Sequence, residues 1–420
     1  MVTTAAKPDW YADPTERHRL RYWDGARWTA NVSDQGDASL DELAPEPPPP
    51  VRPAGQMTVT PVGTIKPAGP VVIDAVNGRL AICCFGVLGI GGGYRVYALD
   101  PFAQVKHPDF GTGECRQLVF DRAGHRLAAA EFSFPHLCQG WVHDHASGRH
   151  SGFAISTSAQ HYMFSNAMHQ GSDSVALSPS GRLLAFSGPE ALPLVGVVDE
   201  LVAGGEFYAH LFPLPSITTG VVRRPLVWSP DGRTLASATH DASGAASVDL
   251  WSFPNGEDSQ MVAVTVRSAA TPDSGTAVTG GRVALQFSPD SQWLALGGGS
   301  AGTGAIEIFE VQSMTPVSRS AALPATVRAL DFAPNGAFLV SGDASGNVVV
   351  WTLRADGIPA LTPTAAAQVP GRVLALGWTQ TSDGVFVAYE RRPQKLIVGG
   401  EFGMGGEVGI SFARLDIATP

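Results

Sequence analysis

A single pattern returns five times along the chain: apolar, any residue, apolar, a tight turn, then leucine three residues beyond a Gly or Ser. The copies are Leu118-Val119-Phe120 with Gly124 and Leu127, Val175-Ala176-Leu177 with Gly181 and Leu184, and Leu226-Val227-Trp228 with Gly232 and Leu235. Leu285-Gln286-Phe287 with Ser291 and Leu294, and Leu330-Asp331-Phe332 with Gly336 and Leu339, complete them. The turns read DRAG, SPSG, SPDG, SPDS and APNG. Proline suits the second turn position because its φ is already about −65°, and Gly or Ser can close the turn. The alternation around each turn is that of a strand with one buried face. A chain phased in this way is expected to be all-β.

Two weaker copies extend the series. Val72-Ile73 with Asn77-Gly78 and Leu80 precede the first; Leu374, Leu376 and Trp378 with Asp383-Gly384 and Val387 follow the last. The turn positions are then 78, 124, 181, 232, 291, 336 and 384. They lie about 45 to 60 residues apart, at or slightly above the roughly 40–50 residues of a four-stranded propeller blade. The spacing predicts a seven-bladed β-propeller over residues 57–420. Strands rich in β-branched and aromatic residues recur after the turns as Val248-Asp249-Leu250-Trp251, Ile306-Glu307-Ile308-Phe309 and Val348-Val349-Val350-Trp351. Looser versions are Gln139-Gly140-Trp141-Val142 and Tyr94-Arg95-Val96-Tyr97. WD repeats carry a strand ending in Trp-Asp at this point, and residues 57–420 resemble that family. The resemblance departs in two places: the Gly-His pair is missing, and Ser252 and Thr352 follow Trp251 and Trp351 where the family has Asp. Glu407 to Leu415 reads as the third strand of blade seven, with too little chain after it for a fourth. Met57 to Gly63 (MTVTPVG) is expected to supply that strand and so remove the ring's open edge.

Ahead of the repeats the chain changes character. Residues 8–32 hold three of the nine Trp, namely Trp10, Trp23 and Trp28, together with Tyr11 and Tyr22. So short a segment cannot build an ordinary core, and large aromatics are the simplest source of buried area. Asp24-Gly25 between strand formers predicts a small hairpin. Trp10-Tyr11, Asp13-Pro14 and the run Leu20 to Trp28 resemble a short Trp-rich actinobacterial domain of unknown function. That resemblance implies tethering or recruitment, including peripheral association with a membrane complex, through Trp10, Tyr11, Tyr22, Trp23 and Trp28. Residues 33–56 carry Asp34, Asp37, Asp41, Glu42 and Glu46, then Pro47 to Pro50, and read as an extended acidic, Pro-rich linker. The Pro run is also a ligand type for polyproline-binding grooves.

Charge narrows the partner. The net charge is −10, which opposes non-specific binding to nucleic acid. Arg17, Arg19, Arg21 and Arg27 alternate with Asp13, Glu16 and Asp24 and read as a solvated cluster. Cys83, Cys84, Cys115 and Cys138 lack metal-ligand spacing and read as buried free thiols, in keeping with a cytoplasmic location. No stretch of 18 apolar residues occurs to span a membrane.

No signature of a nucleophile elbow, zinc protease, redox pair or phosphate loop is found. The glycines at 89 and 91–93 sit between predicted strands and read as a hairpin tip. His136, His143, His145 and His150 crowd one stretch with Asp144 beside them, followed by His161 and His169, but their spacing matches no metal-ligand pattern. Neither metal nor cofactor is expected. In WD-type blades the second-to-third-strand loops and the blade connections share one face, and several here are long: 132–138, 189–193, 240–246, 298–304 and 391–406. The candidate partner-binding residues are Phe132, Phe134 and His136, then Tyr162, Met163, Phe164 and Met168, and the basic spot of Arg391 and Arg392 with Lys395. The expected function is a non-catalytic protein-interaction scaffold, alone or as a subunit of a larger assembly. The alternative class is a small-ligand or metal-binding propeller, sensor or hydrolase-like, that uses its central channel.

Overall fold

The computed structural model of the chain describes residues 9–12, 18–23, 28–34, 37–40, 55–65, 69–84, 93–105, 114–132, 139–154, 174–187, 193–199, 212–215, 222–240, 246–258, 265–270, 284–299, 303–353, 359–391 and 409–417. It divides into two compact units, 1–51 and 52–420.

The first unit is a four-stranded antiparallel sheet in chain order: β1 (Asp9–Ala12), β2 (Leu20–Trp23), β3 (Trp28–Asp34) and β4 (Asp37–Leu40). The hairpin expected around Asp24-Gly25 joins β2 to β3, with Trp23 opposite Trp28. The sheet continues past the boundary expected at residue 32. Asp34 pairs with Asp37 and Asn31 with Leu40, so residues 33–40 extend the domain instead of opening a linker. Their acidic composition hid a strand whose role is to cover the outer edge of β3. Arg21 also departs from expectation. It is buried, and its guanidinium donates to the Thr29 carbonyl at 3.1 Å.

In the second unit β5 (Gly55–Gln56) and β6 (Thr58–Ile65) come first in sequence but take the last places in the architecture. Blade one is β7 (Val71–Asp74), β8 (Arg79–Cys84), β9 (Gly93–Leu99) and β10 (Phe102–Val105). Blade two is β11 (Glu114–Phe120), β12 (Arg126–Phe132), β13 (Gln139–Asp144) and β14 (His150–Ala154). Blade three is β15 (Val175–Leu177), β16 (Leu183–Ser187), β17 (Pro193–Val197) and β18 (Phe212–Pro213). Blade four is β19 (Val222–Trp228), β20 (Thr234–His240), β21 (Ala246–Ser252) and β22 (Thr265–Ala270). Blade five is β23 (Ala284–Phe287), β24 (Trp293–Gly298), β25 (Ala305–Glu310) and β26 (Pro316–Arg319). Blade six is β27 (Val327–Phe332), β28 (Phe338–Asp343), β29 (Asn347–Thr352) and β30 (Thr362–Gln368). The last sheet is β31 (Gly371–Trp378), β32 (Gly384–Arg391) and β33 (Ile410–Asp416), with β6 as its outer strand. β6 runs antiparallel to β33 from Thr58 opposite Asp416 to Ile65 opposite Ile410. β5 adds a short parallel pairing to the outer edge of β30.

The recurring turn joins the first two strands of every sheet. The last apolar residue before it faces the first after it: Ile73 with Leu80, Phe120 with Leu127, Leu177 with Leu184, Trp228 with Leu235, Phe287 with Leu294 and Phe332 with Leu339. Each turn is closed by an N–H donated three residues back, from Gly124 to Asp121 O at 3.0 Å and from Gly181 to Ser178 O at 2.8 Å, for example. The donor always has a left-handed backbone, with φ between 58° and 72°, which glycine adopts without a Cβ clash. Ser291 and Ser382 are the two exceptions, and both hydroxyls repay the strain by accepting a backbone N–H from the preceding turn: Asp231 N at 3.1 Å and Asn335 N at 3.4 Å. The sequence reading puts the seventh turn at Gly384; the structure closes it at Ser382. Trp378 pairs with Val385, which fixes the phase, and Gly384 opens β32.

The core lies between blades, not inside them. Seven buried clusters each join two neighbouring sheets. One joins the last sheet to blade one through Phe386, Ala388, Ile410 and Phe412 against Ile73, Leu80, Ile82 and Tyr97. The innermost strands touch in the cyclic order β7, β11, β15, β19, β23, β27, β31 and back to β7. Blades approach closely where a small residue allows it: a Cβ on Gly342 would lie 2.4 Å from Val373 Cγ1. The cysteine expectation is overturned in one pair. Cys83 on β8 and Cys115 on β11 form a disulfide, Cα–Cα 6.1 Å, inside the cluster between blades one and two. They are 32 residues apart in sequence, and only ring packing brings the two strands together.

Candidate functional site

Antiparallel strands force the connections of each blade to alternate between two ends. First-to-second and third-to-fourth links share one end. Second-to-third links and the links between blades share the other.

The first end is braced. The seven turns lie there, and hydrogen bonds run from turn to neighbouring blade. Asn77 Nδ2 donates to Arg122 O at 3.1 Å and Arg126 Nη1 to Gly181 O at 2.8 Å. Glu257, after blade four's third strand, accepts from Ser178 Oγ at 2.6 Å, from Ser180 N at 3.2 Å and from Ser180 Oγ.

The two longest connections, β14–β15 and β32–β33, depart from the second end. Phe132 closes β12 and Arg391 closes β32, both at this end. Phe134, His136, Tyr162, Met163, Phe164, Met168, Arg392 and Lys395 lie outside the described residues. The links that contain them, β12–β13, β14–β15 and β32–β33, all depart from this end. Of the candidate partner-binding residues, Phe132 and Arg391 are described, and both stand where their strands reach this end.

Between the two ends the inner strands enclose a cavity of about 780 Å³. Its polar lining includes Asp74, Asp121, Gln286, Asp331, Arg372 and Glu390. Asp331 bridges three blades: Gln286 Nε2 donates to Oδ1 at 3.2 Å and the Trp378 backbone N–H to Oδ2 at 2.9 Å. Burial in the wall pushes its carboxyl up to about 7, against those two hydrogen bonds and with the charge of Asp74 acting in the same upward direction. Burial raises Asp74 and Asp121 as well. Arg372 and Glu390, paired across β31 and β32, form an ion pair. Among the described residues this lining offers carboxyls, amides and guanidinia, and no hydroxyl, thiol or imidazole nucleophile. Sequence reading did not find the Asp331 bridge. Its one signal was a charged residue in the middle of an apolar-x-apolar triplet.

Three of the crowded histidines pack together: His143 on β13, His145 just after it and His150 at the start of β14. His143 is buried, and its ring lies 4.8 Å from that of His145 and 6.1 Å from that of His150. Tyr94 stacks on Trp141 at 4.4 Å in the same group, and burial lowers the pKa of His150. No group of three His, Cys, Asp or Glu poised for a metal occurs among the described residues. His136, His161 and His169 lie outside them.

In the first unit Trp10 and Tyr22 face each other across β1 and β2, ring centroids 5.4 Å apart. Tyr11 lies opposite Arg21 and Trp23 opposite Trp28.

Comparison with known proteins agrees with this architecture. Residues 8–52 match the family described as protein of unknown function (DUF2510). Residues 319–352 match the WD domain, G-beta repeat, the stretch from the end of β26 through β29. Within that stretch Trp351 Nε1 donates to Ser341 Oγ at 2.9 Å. No curated protein matches the chain. Among solved structures, a chain in the crystal structure of the mitotic checkpoint complex is 14% identical with a TM-score of 0.57, covering 90% of this chain and 99% of that one. The β-propeller domain of Myceliophteria thermophila Cps50 (Swd1) is 12% identical with a TM-score of 0.55, covering 83% and 98%. The WD40 repeats of RRP9 are 10% identical with a TM-score of 0.57, covering 87% and 99%. By fold, then, the chain is a β-propeller of the WD-repeat type, and a DUF2510 domain precedes it.

Proposed function

We propose that the propeller is a non-catalytic scaffold that holds a protein partner on the end carrying the long connections, while the N-terminal domain tethers or recruits. The observation that carries this reading is the contrast between the ends: one carries seven equivalent turns, and the two longest links, β14–β15 and β32–β33, depart from the other. A structurally similar chain comes from the mitotic checkpoint complex, which supports a protein partner. Exposed Tyr, Phe and Met are the residue types that interfaces favour. The test is affinity capture with quantitative mass spectrometry, comparing the wild type with a variant carrying Tyr162→Ala, Met163→Ala, Phe164→Ala and Met168→Ala. A protein recovered stoichiometrically with the wild type and lost with the variant is expected. Equal recovery would move the site elsewhere.

A second reading rests on the cavity: its size suits a small polar molecule. Native mass spectrometry of the purified chain separates the two, because a channel ligand would appear as a discrete added mass that Asp331→Asn removes.

A further inference from the structure

Trp10 is the one large aromatic among the exposed apolar side chains of the described residues, 36% accessible. It sits directly opposite Tyr22, and the two rings meet edge to face at 66°. Arg21 and Val32, opposite each other on the reverse face, are both buried. The small sheet therefore buries one face and leaves an aromatic corner on the other, although a domain of this size is short of buried apolar area.

Register and sequence together indicate an occupant. Tyr22 lies opposite the bulged part of β3, where the Thr29 hydroxyl donates to its carbonyl at 3.1 Å. Asn31, at the end of that bulge, pairs with Leu40, the last residue of β4. The chain thus leaves the sheet in the transverse row that holds Tyr22 and Trp10. Three strand spacings make that row about 14 Å wide. Pro47, the first of four consecutive prolines outside the described residues, follows Leu40 by seven residues, which can span up to roughly 24 Å. A proline run is preordered as a polyproline II helix, and such helices dock on aromatic surfaces without a further ordering cost.

We propose that the Trp10–Tyr22 corner is a polyproline-docking site and that its occupant is the chain's own Pro47–Pro50. The inference goes beyond scaffolding by giving the N-terminal domain a ligand class. It stands or falls independently of where the propeller binds.

The test uses the full chain and hydroxyl-radical footprinting read at Trp10 by tandem mass spectrometry. Replacing Pro47, Pro48, Pro49 and Pro50 together by Ser is expected to speed Trp10 labelling several-fold, with the far-UV spectrum unchanged. Adding a synthetic peptide of residues 44–53 to that variant should restore protection, and the same peptide with Ser for the four prolines should not. Wild-type protection should be constant on tenfold dilution. Unchanged labelling in the variant overturns the site. Protection that is lost on dilution overturns the intramolecular occupant and assigns the run of a second copy instead. A Tyr22→Ala variant that remains folded yet no longer responds to the peptide supports the corner itself; an unchanged response overturns it.

Discussion

The two ends of the propeller blades solve different problems with the same strands. At the turn end, seven short links repeat one backbone geometry, and side chains such as Glu257 and Arg126 stitch each blade to the next. At the other end the two longest links depart, the Cys83–Cys115 bond joins blades one and two, and Arg372 pairs with Glu390 on the last sheet. The difference matches the division of stability and recognition between ends that we propose. The repeated turns serve the ring, and the two longest links are those proposed to meet a partner.

That division can be broken most forcefully at the closure. Removing residues 1–65 deletes β6 and leaves β33 as an open edge with Ile410 and Phe412 uncovered. Loss of the cooperative thermal transition, or destabilisation beyond about 4 kcal/mol, is expected. A truncated chain that melts within a few degrees of the intact one would mean that the ring does not depend on that strand.

Reduction comes next. Opening Cys83–Cys115 should lower stability by about 2–4 kcal/mol, read as a shift in the urea midpoint between oxidised and reduced protein. Thiol trapping of freshly isolated native protein should label Cys83 and Cys115 only after reduction. Immediate labelling of both would show that the two blades are held by packing alone.

At the turn end, Glu257→Ala removes the acceptor for Ser178 and Ser180 and should cost about 1–3 kcal/mol. Partner capture should be unaffected once the variant is folded. Loss of capture without loss of stability would reverse the proposed roles of the two ends.

A pH-dependent effect concerns Asp331. Burial holds its carboxyl at about 7 in the folded chain, well above the ordinary aspartate value of 3.8. A raised carboxyl favours folding only while it is protonated in both states. Its contribution is therefore complete below 3.8, falls as pH rises from 3.8 to 7, and is constant above that. Relative to Asp331→Asn, the wild type should lose melting temperature between pH 4 and pH 7. A difference independent of pH would show that the carboxyl is not shielded in the wall.

These contrasts also explain what could be read in advance. The phased turns were legible because Gly, Ser and Pro each answer a backbone demand that does not depend on neighbours, and the facing pair such as Phe120 and Leu127 keeps a fixed distance from the turn. The seventh copy slipped by two residues because Ser382 takes a conformation usually left to glycine, while Asp383-Gly384 looks like a turn. The Cys83–Cys115 bond, the β5–β30 pairing and the Asp331 bridge were not legible. Each joins residues that only the packing or pairing of strands distant in sequence brings together, so no local spacing records them. Strand β4 was hidden for a different reason, since its acidic surroundings resemble a linker and its edge position asks little of its side chains.

The most direct test of the division between ends is hydrogen exchange of the propeller with and without its captured partner, resolved by peptide. Protection is predicted in the links 85–92, 133–138, 155–173 and 392–408, with the seven turns at 78, 124, 181, 232, 291, 336 and 382 unchanged. Protection confined to the turns would contradict it.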